Sequence, residues 1–103
     1  MKRISNINTF KFFNYKWKMA PNWAEATEEK YINWYLRRYK YKTRNTFKKF
    51  LSNKYTIMEA GCGLARDSKF FSLLNPKAKI FAIDQSSNAL NIAKKRLKNI
   101  KNI

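Results

Sequence analysis

From Tyr55 onward the apolar residues fall into short blocks whose spacing switches between that of a strand and that of a helix. Tyr55 to Met58 are apolar and β-prone enough for a buried strand. Leu64 onward has helical composition, with Phe70, Phe71 and Leu74 placed to cover a sheet, and Asn75-Pro76 ends that helix. Lys79 to Asp84 reads as a second strand. Ser86 or Ser87 then opens a helix in which Leu90, Ala93, Leu97 and Ile100 recur at helical spacing. Strand, helix, strand, helix with short connections predicts a right-handed parallel βαβ unit over residues 55–103, and hence an α/β fold.

Upstream the pattern changes. Pro21-Asn22 signals a turn or helix start, and the acids Glu25, Glu28 and Glu29 suit the positive end of a helix dipole. A helix is expected from Trp23 to Tyr39, with Tyr31, Trp34, Tyr35 and Leu36 as an aromatic face extended by Ile32 and Tyr39. A shorter one from Thr43 to Leu51 should turn Phe47, Phe50 and Leu51 inward. Residues 1–22 are rich in Asn and Lys with scattered aromatics and no clean period, which predicts a loosely ordered basic arm. The expected division is therefore arm 1–22, helical segment 23–54 and βαβα unit 55–103.

Composition narrows the class. A chain of 103 residues suffices for one domain, and 45% hydrophobic content argues against disorder. No apolar run approaches the roughly 20 residues of a membrane span. The basic N-terminus leads into Asn, Lys and aromatics with no apolar secretory segment, and the single cysteine excludes an internal disulfide; both fit a cytoplasmic protein. There is no histidine to activate Cys62 or to share a metal with it.

The net charge of +17 implies an acidic partner. Interleaved Lys, Arg and aromatic residues are how many proteins hold RNA or single-stranded DNA, so a non-catalytic basic module that binds nucleic acid is one reading. The charge is spread, with 13 cations against 3 acids in residues 1–50 and 10 against 3 in residues 51–103. A bias toward Lys, Asn, Ile, Phe and Tyr throughout the chain would give the same picture.

The candidate chemistry lies in Glu59-Ala60-Gly61-Cys62-Gly63-Leu64-Ala65, between the first strand and the helix after it. Glycines without Cβ let a ligand approach the main chain, and the helix start presents free N–H groups. A dinucleotide-binding loop needs a small residue at the sixth position from the first glycine, and Arg66 stands there. Glu59, two residues before that glycine, would repel a pyrophosphate and attract a cation. Other readings stand beside these: Gly61 and Gly63 as a plain strand-to-helix turn, Glu59 as a solvated acid, Asp84 as a helix cap, and Arg66-Asp67 as an exposed pair or a contact to a ligand.

The segment Glu59 to Ala65 resembles motif I of the class I S-adenosylmethionine-dependent methyltransferases. Asp84, 21 positions after Gly63, matches the acid that ends the second strand in that family and holds the ribose hydroxyls. The resemblance implies S-adenosylmethionine as cofactor, with Glu59, Ala60, Gly61, Cys62 and Gly63 facing its methionine part and Asp84 and Gln85 its ribose. It implies a Rossmann-like domain, here incomplete, preceded by N-terminal helices that cover the cofactor or shape the acceptor pocket.

Only the first half of that family's domain has a counterpart here. The family continues through about five more strands, and the segments that contact adenine and position the methyl acceptor follow its third and fourth strands. The expectation is a fragment, a split enzyme completed by another chain that supplies the missing strands, or a short domain with a new role. Catalytic residues and the methyl acceptor stay unassigned, since methyl transfer from a sulfonium often needs only proximity and alignment.

Overall fold

The computed structural model describes residues 2–103, with side chains from residue 9 onward. Its elements are α1 (Lys2–Met19), α2 (Trp23–Arg38), α3 (Arg44–Leu51), β1 (Thr56–Ala60), α4 (Arg66–Leu74), β2 (Lys79–Ile83) and α5 (Ser87–Arg96). The two strands pair in parallel, from Thr56 opposite Lys79 to Ala60 opposite Ile83. Parallel pairing needs a crossover, which α4 provides. The class is α/β, with element ends slightly displaced from those read off the sequence.

Three helices build the main core against one face of the sheet. Ile32 and Leu36 of α2, Phe47 and Leu51 of α3, and Phe70 and Phe71 of α4 meet Ile80 of β2. Phe47 is its centre at 1% exposure, and its ring lies 5.7 Å from Phe70 at 21°. The aromatic face expected on α2 is rotated. Ile32, Tyr35 and Leu36 share the inward side at spacings of three and four, so Trp34 is left on the outside at 49% exposure. Phe50, expected inward, is also 48% exposed because Phe47 and Leu51 already fill the inner side of α3.

Local signals fix the helix ends. Thr43 and Thr46 form a reciprocal capping box at the start of α3. At the end of α2 the Tyr41 N–H donates to the Leu36 carbonyl at 2.8 Å and the Lys40 N–H to Arg37 at 3.2 Å. This closure puts Lys40 at φ +63, where glycine is the usual occupant.

From Lys2 onward the expected arm is helical through Met19. One side of α1 carries Phe10, Phe13, Asn14 and Trp17 at helical spacing. Trp17 is 8% exposed and packs with Ala24, Leu64, Ala89 and Trp23. Asn14 ties α1 to the start of α5: its Oδ1 accepts from the Ser86 hydroxyl at 2.6 Å, and its carbonyl accepts from Asn88 Nδ2 at 3.3 Å.

The two faces of the sheet differ. Ile57, Glu59, Ile80 and Ala82 lie on the covered side, while Met58, Phe81 and Ile83 remain substantially exposed on the other. At the outer edge of β2 the Ile80 N–H donates to the Asn102 carbonyl at 2.7 Å. The Asn102 side chain accepts from Ser72 Oγ and donates to the Asn75 and Ala78 carbonyls, which pins the residues after α5 beside the sheet. Among the described residues β1 pairs only with β2. No helix among them is long and apolar enough to cross a membrane.

Candidate cofactor site

The turn from β1 into α4 is built from left-handed residues. Gly61 (φ +69), Gly63 (φ +55) and Ala65 (φ +59) reverse the chain within five positions. Both glycines are favoured by their left-handed backbone, and Gly63 has a second reason. A Cβ on Gly61 would meet nothing within 4 Å, so only its backbone angle demands glycine and open space lies in front of its main chain. A Cβ on Gly63 would stand 2.9 Å from Trp17 Cζ2, so here α1 itself requires the missing side chain.

The turn after β2 is tied to the first by a carboxylate. Asp84 Oδ2 accepts from the Gly63 N–H at 2.8 Å, and Oδ1 accepts from the Ser86 N–H at 2.7 Å. Ser86 Oγ accepts from the Ala89 N–H at 3.1 Å, so Ser86 caps α5 and Asp84 is not its cap. The Cys62 N–H donates to the Ile83 carbonyl at 2.9 Å and continues the ladder past the strand ends.

Glu59 faces the opposite way. Its Oε1 accepts from both the backbone N–H and the hydroxyl of Ser68, at 3.1 and 2.6 Å, and so holds the first turn of α4. Burial pushes its carboxyl up to about 6 against the downward pull of the Ser68 hydroxyl, with the neighbouring Asp67 adding to the rise. Cys62 is buried with Ala65, Ala93 and Leu97, and burial pushes its thiol up to about 12, which removes it as a nucleophile at neutral pH.

A cavity of about 650 Å³ opens where these turns meet α1, within the size range of sites for small molecules. Ala60, Gly61, Gly63, Asp84 and Gln85 of the sequence-derived set line it together. Glu59 and Cys62 do not. Phe10, Phe13 and Trp17 of α1 line it as well, together with Ser86. The three α1 residues recur at a spacing of three and four, and exposed Phe12 and Tyr15 on the other side of α1 blur that stripe in the sequence.

Arg66 does pair with Asp67, but the pair is partly buried, and Arg66 does not line the cavity. Its guanidinium stacks 4.0 Å from the Tyr31 ring centre and 5.0 Å from that of Trp23, and Nε pairs with Asp67 Oδ1 at 3.2 Å. A long side chain is tolerated after the glycine turn because it leaves the sheet and clamps α4 to α2. Arg96, 8% exposed, joins Glu25 and the Leu64 carbonyl and braces the back of the same turn.

Among the described residues no cluster of His, Cys, Asp and Glu suits a metal ion. The cavity therefore offers one carboxylate, glycine backbone, the polar side chains of Thr9, Gln85 and Ser86, and the rings of Phe10, Phe13 and Trp17. That set fits a ligand with an aromatic ring and vicinal hydroxyls, as in a nucleoside. Comparison with family models, curated proteins and solved structures returns no match for this chain.

Proposed function

We propose that the cavity binds S-adenosylmethionine and that the chain belongs to a Rossmann-like, cytoplasmic methyltransferase of the class I kind. The observation that carries the reading is Asp84. It stands in the cavity with each oxygen holding one backbone N–H, and a carboxylate has about four acceptor positions, so about two remain for the ribose hydroxyls. Gly61 supplies open backbone for the methionine part, Gln85 a polar group beside the ribose, and Phe10 and Phe13 a surface on which adenine can stack. Bound there, the cofactor would supply an electrophilic methyl on sulfonium.

In this reading the chain's own residues position and bury, and the general base stays unassigned. Glu59 acts through Ser68 by fixing the helix start, and Trp17 by filling the space beside Gly63. The uncovered sheet face at Met58, Phe81 and Ile83 and the open edge of β1 suit additional strands from a complementing chain. The methyl acceptor is not specified by any of these groups.

Titration calorimetry with S-adenosylhomocysteine, the demethylated product, tests the reading. Saturable binding that competes with S-adenosylmethionine is expected, with ATP at least tenfold weaker because its phosphates gain nothing from Asp84. Equal affinity for ATP, or no binding by the folded chain, would refute it.

A further inference from the structure

From Arg37 to Tyr55 the sequence holds eight cations and no acid, and the fold gathers this stretch into one helix-turn-helix at the end of the sheet remote from the glycine turn. The end of α2 supplies Arg37 and Arg38, the connection Lys40 and Lys42, and α3 Lys48 and Lys49; all six are exposed. Only Arg44 of the stretch is ion-paired among the described residues, with Glu29 of α2. Six uncompensated charges this close repel one another, and the fold offers no internal anion to relieve them.

Aromatic rings lie among these charges and are held open to solvent. Tyr39 is 54%, Phe50 48% and Tyr55 88% exposed. Arg38 lies 5.8 Å from the Tyr39 ring centre, and Lys54 Nζ stands 4.7 Å over Phe50. Tyr41 packs on both Phe47 and Phe50, which fixes the outer ring against the core. Of the apolar residues of α3, Phe47 and Leu51 are buried and Phe50 alone is exposed, so this helix offers one ring and no aliphatic side to insert into a bilayer.

We propose that the surface formed by Arg37, Arg38, Lys48 and Lys49 with Tyr39, Phe50 and Tyr55 binds single-stranded nucleic acid, the cations meeting phosphates and the rings stacking on bases. A peptide of acidic residues would use the charges and leave the rings without partners. The surface does not rest on the cofactor reading, because it shares no residue with the cavity and begins where β1 starts, while the cavity lies where β1 ends.

Fluorescence anisotropy with a labelled 12-nucleotide oligouridine, run over a series of salt concentrations, tests it on the full chain. The variant R37Q/R38Q/K48Q/K49Q should bind at least tenfold more weakly and lower the slope of log affinity against log salt by about 3, at about 0.7 for each phosphate no longer neutralised. The control K94Q/K95Q/K98Q/K101Q, which removes four exposed charges around α5, should change both quantities by less than half as much. Tyr55→Ala, at a site too exposed to affect folding, should weaken binding about tenfold with the salt slope unchanged. Equal losses in the two charge variants, or an oligonucleotide affinity indifferent to Tyr55, would overturn the proposal. So would tighter binding to phosphatidylserine vesicles or to polyglutamate than to the oligonucleotide.

Discussion

The turns that follow β1 and β2 each have an acid beside them, and the two acids do opposite things. Glu59, near the end of β1, turns toward the following helix α4 and spends its bonding on Ser68, nine residues away. Asp84 reaches across to the other turn, joins Gly63 to Ser86, and still presents acceptor positions to the cavity. An acid placed by sequence beside a glycine turn is thus a candidate ligand contact only until the helix after the turn is considered. The glycines divide in a similar way: both turn the backbone at positive φ, and Gly63 alone is also touched by a tryptophan from another element.

The harshest way to break this arrangement is Gly63→Val. The new side chain would collide with Trp17 and strain a backbone at φ +55. A loss of about 3 kcal/mol or more in stability is expected from overpacking plus a left-handed β-branched residue. Chemical denaturation should show it, and binding of S-adenosylhomocysteine should vanish.

Asp84→Ala comes next. It leaves the Gly63 and Ser86 N–H groups without their acceptor and removes the ribose contact, so the cofactor's dissociation constant should rise by the equivalent of about 1.5 to 3 kcal/mol. Calorimetry measures it. An unchanged constant would give Asp84 the same purely internal role as Glu59.

Glu59 sharpens the contrast through pH. Its carboxyl titrates near 6 in the fold against an ordinary value of 4.5, so between these the folded chain holds more proton than the unfolded one. Stability from this group should therefore fall as pH rises from 4.5 to 6 and stay level above. The ceiling is about 2 kcal/mol, lowered by solvent screening of a side chain that is only partly buried. Glu59→Gln keeps an acceptor for Ser68 and should flatten the profile, raising stability at pH 7.5 by about 1 kcal/mol while leaving cofactor affinity within twofold. Urea denaturation at several pH values would register the change, and a profile identical to that of the parent would remove the buried-acid account.

Gly61→Ala should have the smallest effect on stability, about 1 kcal/mol of backbone strain, because no atom lies within 4 Å of the added methyl. Its effect on ligand binding should be the larger one, since the methyl enters the space where the ligand meets the chain.

Much of this division was legible in the sequence and part of it was not. The βαβα order from Tyr55 onward followed from period and turn residues, because each signal there lies within one element or its caps. The meeting of Ala60, Gly61, Gly63, Asp84 and Gln85 followed from the same order, since parallel strands bring their ends together. The α1 wall did not, because its inward stripe carries Asn14 and its outward side carries Phe12 and Tyr15, so composition gives no contrast between the sides. The Trp17 to Gly63 contact and the Glu59 to Ser68 bond are tertiary facts that no local pattern reports. On α2 and α3 aromatic content misled: Trp34 and Phe50 count as core by composition, yet helical phase puts them outside.

A nitrogen–proton correlation NMR titration of the chain with S-adenosylhomocysteine is the most direct test that the cavity between α1 and the two turns is the binding site. Saturable shifts are expected at the Gly61, Gly63 and Gln85 amides and the Trp17 indole, with little change on α3. Shifts confined to the second cavity, of about 430 Å³ between β2 and α5 around Ala82, Leu90 and Leu97, or none at the glycines, would contradict the account.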